Sequence, residues 1–226
     1  MPVIRRTMGA QEPLWTDRRE AGQQLAAHLA PWAGRADTCT VVALPRGGVA
    51  VAAEVAKQLH LPITTWSVRK LVLPDDPERA IGAIGPGGVE LWDEAIQPWL
   101  SSQGDWRQQL VRVAKQELER RQRRYGDATA EDLRGRDLLL VDDGIATGLT
   151  VSAAIDSLRA VHPVRLTLAV PVLDRQVKAW LSTRVDGLIC LAVVTGLRAV
   201  GEHYRHFNQL DDQTVLELLR DCRSQL

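Results

Sequence analysis

Two adjacent acids, Asp142 and Asp143, close a run of four apolar residues, 138–141. A short turn of small and hydroxylated residues follows, Gly144, Ile145, Ala146, Thr147, Gly148, Leu149 and Thr150, and a helical pattern then runs over 151–161. Gly144 and Gly148 let the backbone bend tightly and come close to a bound group. Thr147 and Thr150 add hydroxyl donors, and the free N–H groups of a helix start suit a phosphate. Two carboxylates beside an anion cradle fit a ligand with a phosphate on one side and sugar hydroxyls, or a metal, on the other. The plainer alternative is an ordinary strand–turn–helix whose acids cap the turn. Order, spacing and context together favour the ligand.

A second cluster, Pro45, Arg46, Gly47 and Gly48, lies between an apolar run at 40–44 and a helical pattern at 49–59. Two glycines between strand and helix make another backbone nest for an anion, and Arg46 sets a permanent charge beside it. Taken alone the tetrapeptide is a plain βα turn; with the 142–150 stretch downstream, a pyrophosphate is the better match. Arg69 and Lys70 end the segment 61–68, either as cations for a leaving group or as a solvated pair at a strand end. His203 and His206 have no third ligand in the sequence, which argues against a metal site there.

The elements that must position these groups follow from hydrophobic period. Residues 138–141 read as a strand buried on both faces, the pattern of a parallel sheet, where ligands sit at the carboxyl ends of the strands. Residues 40–44, 61–68, 164–170 and 188–194 read as further strands, with Pro171 at a strand end. Helices are expected from Asp17, with Glu20 at capping-box spacing and Pro31 as the stop, and over 49–59, 105–125, 174–181 and 211–222. The 105–125 helix places Trp106, Leu110, Val113, Ala114 and Leu118 on one stripe. The Pro- and Gly-rich stretch 71–88, with Asp75, Asp76, Glu78 and Arg79 inside it, reads as a loop or flexible β-ribbon, with 81–84 and 88–92 as its strands. Residues 1–15 carry no pattern and read as a loose arm. Residues 195–226 read as a C-terminal extension in which 198–207 either lines an acceptor pocket or packs as an arm on the core. The chain is thus expected to be one α/β domain over 1–226.

Composition narrows the function classes. The 226 residues carry 28 basic and 28 acidic side chains, so no global field draws the chain to nucleic acid or a membrane. The basic run at 119–124 interleaves with Glu117 and Glu119 and reads as a solvated face near a helix C-terminus. No apolar run approaches the ~20 residues of a membrane span, and the first residues lack the apolar core of a secretory signal. Cys39, Cys190 and Cys222 are widely spaced, which fits reduced thiols and a cytoplasmic location. The seven Trp read as packing.

At residues 141–150 the chain resembles the type I phosphoribosyltransferases, whose signature is an apolar strand, two acids, a few small or apolar residues and Thr-Gly-x-Thr. The resemblance extends through Asp17-Arg-Arg-Glu-Ala-Gly22, Ala43-Leu-Pro-Arg-Gly-Gly-Val49, Val68-Arg-Lys-Leu71 and Ile81-Gly-Ala-Ile84 to a bacterial group of phosphoribosyltransferases of unassigned acceptor. It implies a mostly parallel central sheet flanked by helices, with a mobile hood over 69–92. The stretch 72–77 is poorer in glycine than that group's hood. The resemblance also implies that Asp142 and Asp143 hold the ribose hydroxyls of phosphoribosyl pyrophosphate and that Gly144 to Thr150 wrap its 5′-phosphate. Arg46, Gly47 and Gly48 would take the pyrophosphate, with a cis peptide between Pro45 and Arg46, and Arg69 and Lys70 would stand by it as it leaves.

Asp142, Asp143 and Lys70 are then the catalytic residues. Mg²⁺ is the implied cofactor, held by pyrophosphate and ribose oxygens and reached by Asp142 and Asp143 through water. The implied reaction moves the phosphoribosyl group to a nitrogen acceptor, a nucleobase or related heterocycle. Family members for 6-oxopurines carry an acid where Ala146 stands, so Ala146 is more similar to the adenine and orotate types. The alternative is a regulatory protein that senses phosphoribosyl pyrophosphate without catalysis. Dimers are common in the resembled family. Exchange of both acids for Asn is expected to abolish ligand binding with the fold intact.

Overall fold

A computed structural model describes residues 12–73, 76–100 and 103–224. Eight strands and eight α-helices lie along them. In chain order they are α1 (Arg18–His28), β1 (Cys39–Ala43), α2 (Gly47–Leu59), β2 (Ile63–Thr65), β3 (Arg69–Leu73), β4 (Asp76–Gly85) and β5 (Val89–Trp92). The short α3 (Gln97–Leu100), α4 (Gly104–Tyr125), the short α5 (Ala130–Leu133), β6 (Asp137–Val141) and α6 (Leu149–Arg159) follow. The last are β7 (Arg165–Asp174), α7 (Arg175–Ser182), β8 (Gly187–Val194) and α8 (Asp212–Arg223).

Five strands form a parallel sheet in the order β2-β1-β6-β7-β8. Every residue of β1 and β6 is buried, as in strands covered on both faces, and their two polar members are partnered: Thr40 accepts from Arg136 Nε (2.7 Å) and Asp137 from Trp32 Nε1 (3.2 Å). The chain leaves β1 towards β2 and leaves β6 towards β7, so the gap between the ends of β1 and β6 is the point where the winding reverses. Ligands of open parallel sheets bind at such a point. The two anion-nest motifs are the loops that follow these two strands, which puts them side by side although about a hundred residues separate them.

The other three strands form a separate antiparallel ribbon, β3-β4-β5. The segment expected as one strand over 61–68 is shorter. Asp127 accepts hydrogen bonds from Thr65 Oγ1 (2.6 Å) and from the Ser67 backbone N–H (2.6 Å) and hydroxyl (3.1 Å), and the pairing with β1 ends at Thr65. Arg69 and Lys70 therefore open the ribbon instead of closing a sheet strand. Leu71, Ile81 and Ile84 of the ribbon pack with Val111, Ala114 and Leu118 of α4. Val113, expected on that stripe, is exposed, and Val111 takes its place. Asp75 and residues 1–11 lie outside the described residues.

Three further expectations change. Pro171 lies inside β7, in the stretch beyond Ala169 where pairing with β6 has ended. No neighbour on that side asks for its missing N–H. Trp15 is buried at 4% exposure, its indole N–H donates to Gln24 (3.0 Å), and Leu14 and Trp15 donate backbone N–H groups to the His203 carbonyl (2.9 and 3.2 Å). That stretch is thus core and not a loose arm. Of the Trp side chains, Trp15 and Trp66 are core, while Trp99 and Trp180 are substantially exposed. No helix among the described residues is long and apolar enough to cross a membrane.

Candidate functional site

The loops after β1 and β6 meet with no room to spare. A Cβ on Gly47 would lie 1.9 Å from Asp143 Oδ2, and one on Gly48 would lie 2.9 Å from both the Cα and Oδ1 of Asp142. The two glycines thus admit the two acids to the first turn of α2, whose N-terminus has no side-chain cap. The peptide between Pro45 and Arg46 is cis, as the resemblance implied. Leu44 N–H donates to the Val141 carbonyl (3.0 Å), which ties the start of one loop to the start of the other.

In the second loop Gly148 has φ +79° and precedes α6, which also lacks a side-chain cap. Helix α6 thus starts at the loop where the sequence predicts a phosphate cradle. Thr147 is exposed, and Ala146, Leu149 and Thr150 are half-buried at the mouth. Ile145 faces inward and exchanges backbone hydrogen bonds with Val172 and Asp174 (both 3.0 Å). Gly144 has a different task from the one expected. A Cβ there would meet Val200 Cγ1 at 2.5 Å, so its missing side chain makes room for the protein's own C-terminal segment.

The two acids differ in surroundings. Asp142 keeps an edge open to solvent, and its Oδ1 accepts the Asp143 N–H (2.9 Å). Burial, and after it the Asp143 charge, hold the Asp142 carboxyl well above the usual carboxylate range. Burial also raises Asp143, while Arg18 pulls it back down. Arg18 Nε donates to Asp143 Oδ2 at 2.7 Å. Lys70, exposed on β3, lowers both acids by its charge. Arg69 is half-buried; burial, then Arg121, and more weakly Arg46, pull its guanidinium below the usual arginine range. Arg46 of the cis loop and Arg121 of α4 are therefore within electrostatic reach of Arg69 of the ribbon.

Three residues that the sequence does not single out hold the site together, although two of them, Tyr204 and Phe207, lie in the 198–207 segment expected to line a pocket or pack on the core. Arg18, only 8% exposed, sits in the Asp-Arg-Arg-Glu-Ala-Gly stretch but was given no role. Tyr204 donates its hydroxyl to the Asp143 carbonyl (2.6 Å), and Phe207 lies under the Arg18 guanidinium, 3.7 Å from carbon to ring centroid. The buried Arg18 also alters an expectation. Asn at 143 would leave that guanidinium without its counter-charge, so a loss of stability is now expected from the double exchange. The basic face of α4 is largely paired: Arg120 and Arg121 with Glu117, and Arg120 and Arg124 with Asp212. Among the described residues no group of three His, Cys, Asp or Glu side chains could hold a metal ion. Asp142 and Asp143 therefore suit a cation only where ligand oxygens and water complete its shell.

Comparison with known proteins agrees with this geometry. A protein of Mycobacterium tuberculosis (strain H37Rv) named "Putative phosphoribosyl transferase" is 40% identical over 207 residues, which is 91% of this chain and 46% of that protein. The chain thus spans about half the length of the curated relatives it matches. The crystal structure of TT1426 from Thermus thermophilus is 35% identical, covers 92% of this chain and 98% of its own, and superposes with a TM-score of 0.70. The AQ2163 protein of Aquifex aeolicus, 10% identical over 81% of this chain and 76% of its own with a TM-score of 0.51, shares the fold alone. Residues 18–180, well over half of the chain, match the model of the phosphoribosyl transferase domain; the strand-end acids, the cis loop and the ribbon all lie within that span, and the chain belongs to this family.

Proposed function

We propose that this protein transfers the phosphoribosyl group of phosphoribosyl pyrophosphate to a nitrogen acceptor, with release of pyrophosphate. The observation that carries the reading is the junction of the two loops, where two carboxylates lie against the glycines of one nest and lead directly into another. One end of such a site suits sugar hydroxyls and both flanks suit phosphate groups. In this reading Asp142 accepts from a ribose hydroxyl, and the N–H groups from Thr147 to Thr150 bind the 5′-phosphate. The N–H groups of Gly47 and Gly48, with Arg46, hold the pyrophosphate.

The bond from the anomeric carbon to the pyrophosphate oxygen breaks as the acceptor nitrogen attacks. Negative charge grows on the leaving group while positive charge spreads over the ribose. Arg46, Arg69 and Lys70 stabilise the first, and the carboxylates the second, so the chain's work is positioning and electrostatics. Asp142 and Asp143 are the residues that would hold Mg²⁺ through water, and the ion would supply further neutralisation of the pyrophosphate. The raised carboxyl of Asp142 lets the pair tolerate its own repulsion before ligand arrives; ligand hydroxyls or a cation then favour its ionised form. A cytoplasmic setting suits both the substrate class and three unbonded cysteines.

The test is Mg²⁺-dependent pyrophosphate release from phosphoribosyl pyrophosphate across a panel of nucleobases and other nitrogen heterocycles, with Asp142→Asn as the blank. Release with one acceptor, absent in the variant, is the expected result. Tight binding of the sugar pyrophosphate with silence across the panel would instead identify a sensor. No binding at all would refute the site.

A further inference from the structure

The two acids of the motif are neighbours in sequence, yet the structure gives them different partners. Asp143 is enclosed on three sides. Its Oδ2 accepts a hydrogen bond from Arg18 Nε (2.7 Å), its carbonyl accepts one from the Tyr204 hydroxyl (2.6 Å), and the Gly47 backbone occupies the space beside Oδ2. Arg18 is itself fixed: its Nη1 donates to the Asn208 carbonyl (2.9 Å), and its guanidinium lies over Phe207, which stacks on Tyr204 with centroids 5.0 Å apart. The approach of α1 is set by Gly22, one turn beyond Arg18, where a Cβ would come within 2.7 Å of the Val51 carbonyl on α2. Asp142 has no such cage; its only protein hydrogen bond among the described residues is the Asp143 N–H.

Resting on the proposed function, we infer that Arg18 is a positioning residue that commits Asp143 to the frame of the site and leaves Asp142 as the acid that meets the ligand's sugar. A buried guanidinium held by a carboxylate, a carbonyl and an aromatic face has no freedom to follow a ligand, so the Asp143 carboxylate stays where α1 and the 204–208 segment put it. Its remaining oxygen then has one orientation, and the Asp143 backbone, pinned through Tyr204, fixes the start of the phosphate loop. The C-terminal segment thereby acts on the site through Arg18 and Tyr204 without touching the ligand.

The experiment is calorimetric titration of phosphoribosyl pyrophosphate with Mg²⁺ into wild type, Asp142→Asn, Asp143→Asn, Arg18→Gln, Arg18→Lys and the Arg18→Gln/Asp143→Asn double variant, with melting temperature recorded for each. Asp142→Asn is expected to lose about a hundredfold in affinity, the scale of charged hydrogen bonds, with little change in melting. Arg18→Gln is expected to lose about tenfold in the wild-type background and to add nothing to Asp143→Asn, because it acts through that acid. Arg18→Lys should recover part of the loss. Tyr204→Phe, which keeps every charge, should weaken binding in the same direction and guards against variants that fail to fold.

Equal losses from Arg18→Gln with and without Asp143 would overturn the inference, as would an Asp143→Asn loss matching that of Asp142→Asn without a drop in melting. Wild type that binds while Arg18→Gln binds equally well refutes only this inference. Wild type that does not bind refutes the proposed function and this inference with it.

Discussion

The five-stranded sheet and the three-stranded ribbon both deliver charged groups to the site, and they differ in how firmly they hold them. The β1–β6 pairing runs without a break from Cys39 opposite Asp137 to Ala43 opposite Val141, and every one of those residues is buried. The ribbon's register shifts twice, between Leu71 and Val72 and between Val72 and Leu73, and β5 is only half-buried. The carboxylates and anion nests therefore stand on a frame that admits no extra atom. The cations Arg69 and Lys70 stand on an element that is pinned mainly by α4 on one side and by α6, where a Gly85 Cβ would touch the Ala153 carbonyl at 3.0 Å. In the proposed reaction, the groups that define where the ligand sits are on the stiff element, and those that answer charge developing on it are on the softer one.

Breaking the stiff side should cost most. Leu139→Ala empties a fully buried position at the centre of β6 and should destabilise the fold by about 4 kcal/mol, measured by urea unfolding. If the half-buried Leu73→Ala in the ribbon costs as much, the contrast is wrong. Gly47→Ala comes next: the added methyl meets Asp143 Oδ2, and the strain should cost about 3 kcal/mol along with ligand binding. A Gly47→Ala protein that binds normally would show the loop junction to be compliant.

On the ribbon side, Lys70→Ala should leave stability within about 0.5 kcal/mol, since the side chain is exposed, while slowing pyrophosphate release about a hundredfold. An unchanged rate would return Lys70 to the solvated face. The smallest effect belongs to Glu117 on α4. The Arg120 hydrogen bond, and with it Arg121, hold its carboxyl down at about 2 against burial. Its folded value lies below the unfolded one, so its contribution is present above the ordinary carboxylate range and is lost as pH falls towards 2. Glu117→Gln should remove about 0.5 kcal/mol at neutral pH, the scale of surface pairs, and flatten acid unfolding over that window.

The sheet strands were legible because a strand buried on both faces is apolar almost throughout, as 138–141 are and as 40–44 are apart from Thr40. The two nests were legible because glycine, hydroxyl and acid spacing is local chemistry. Ribbon strands at 81–84 and 88–92 were legible from their turn residues, but Arg69 and Lys70 were placed at the wrong end of a strand. What ends that strand is Asp127, about sixty residues away, gripping Thr65 and Ser67. Val113 was misplaced because a helical stripe fixes a face only to within a residue, and Val111 was the neighbour that α4 turned to the ribbon.

By itself the sequence determined the kind of site: two carboxylates, two backbone nests and the strands that end at them, all set by local period and by residue type. Tertiary structure alone decided which acid Arg18 holds. That choice depends on Arg18 reaching Asp143 across 125 positions and on Tyr204 reaching it across 61, made possible by Gly22 letting α1 press on α2 and Gly144 admitting Val200. Two adjacent Asp residues look alike to any local rule. Burial and a distant counter-charge, which exist only in the folded chain, make them unequal.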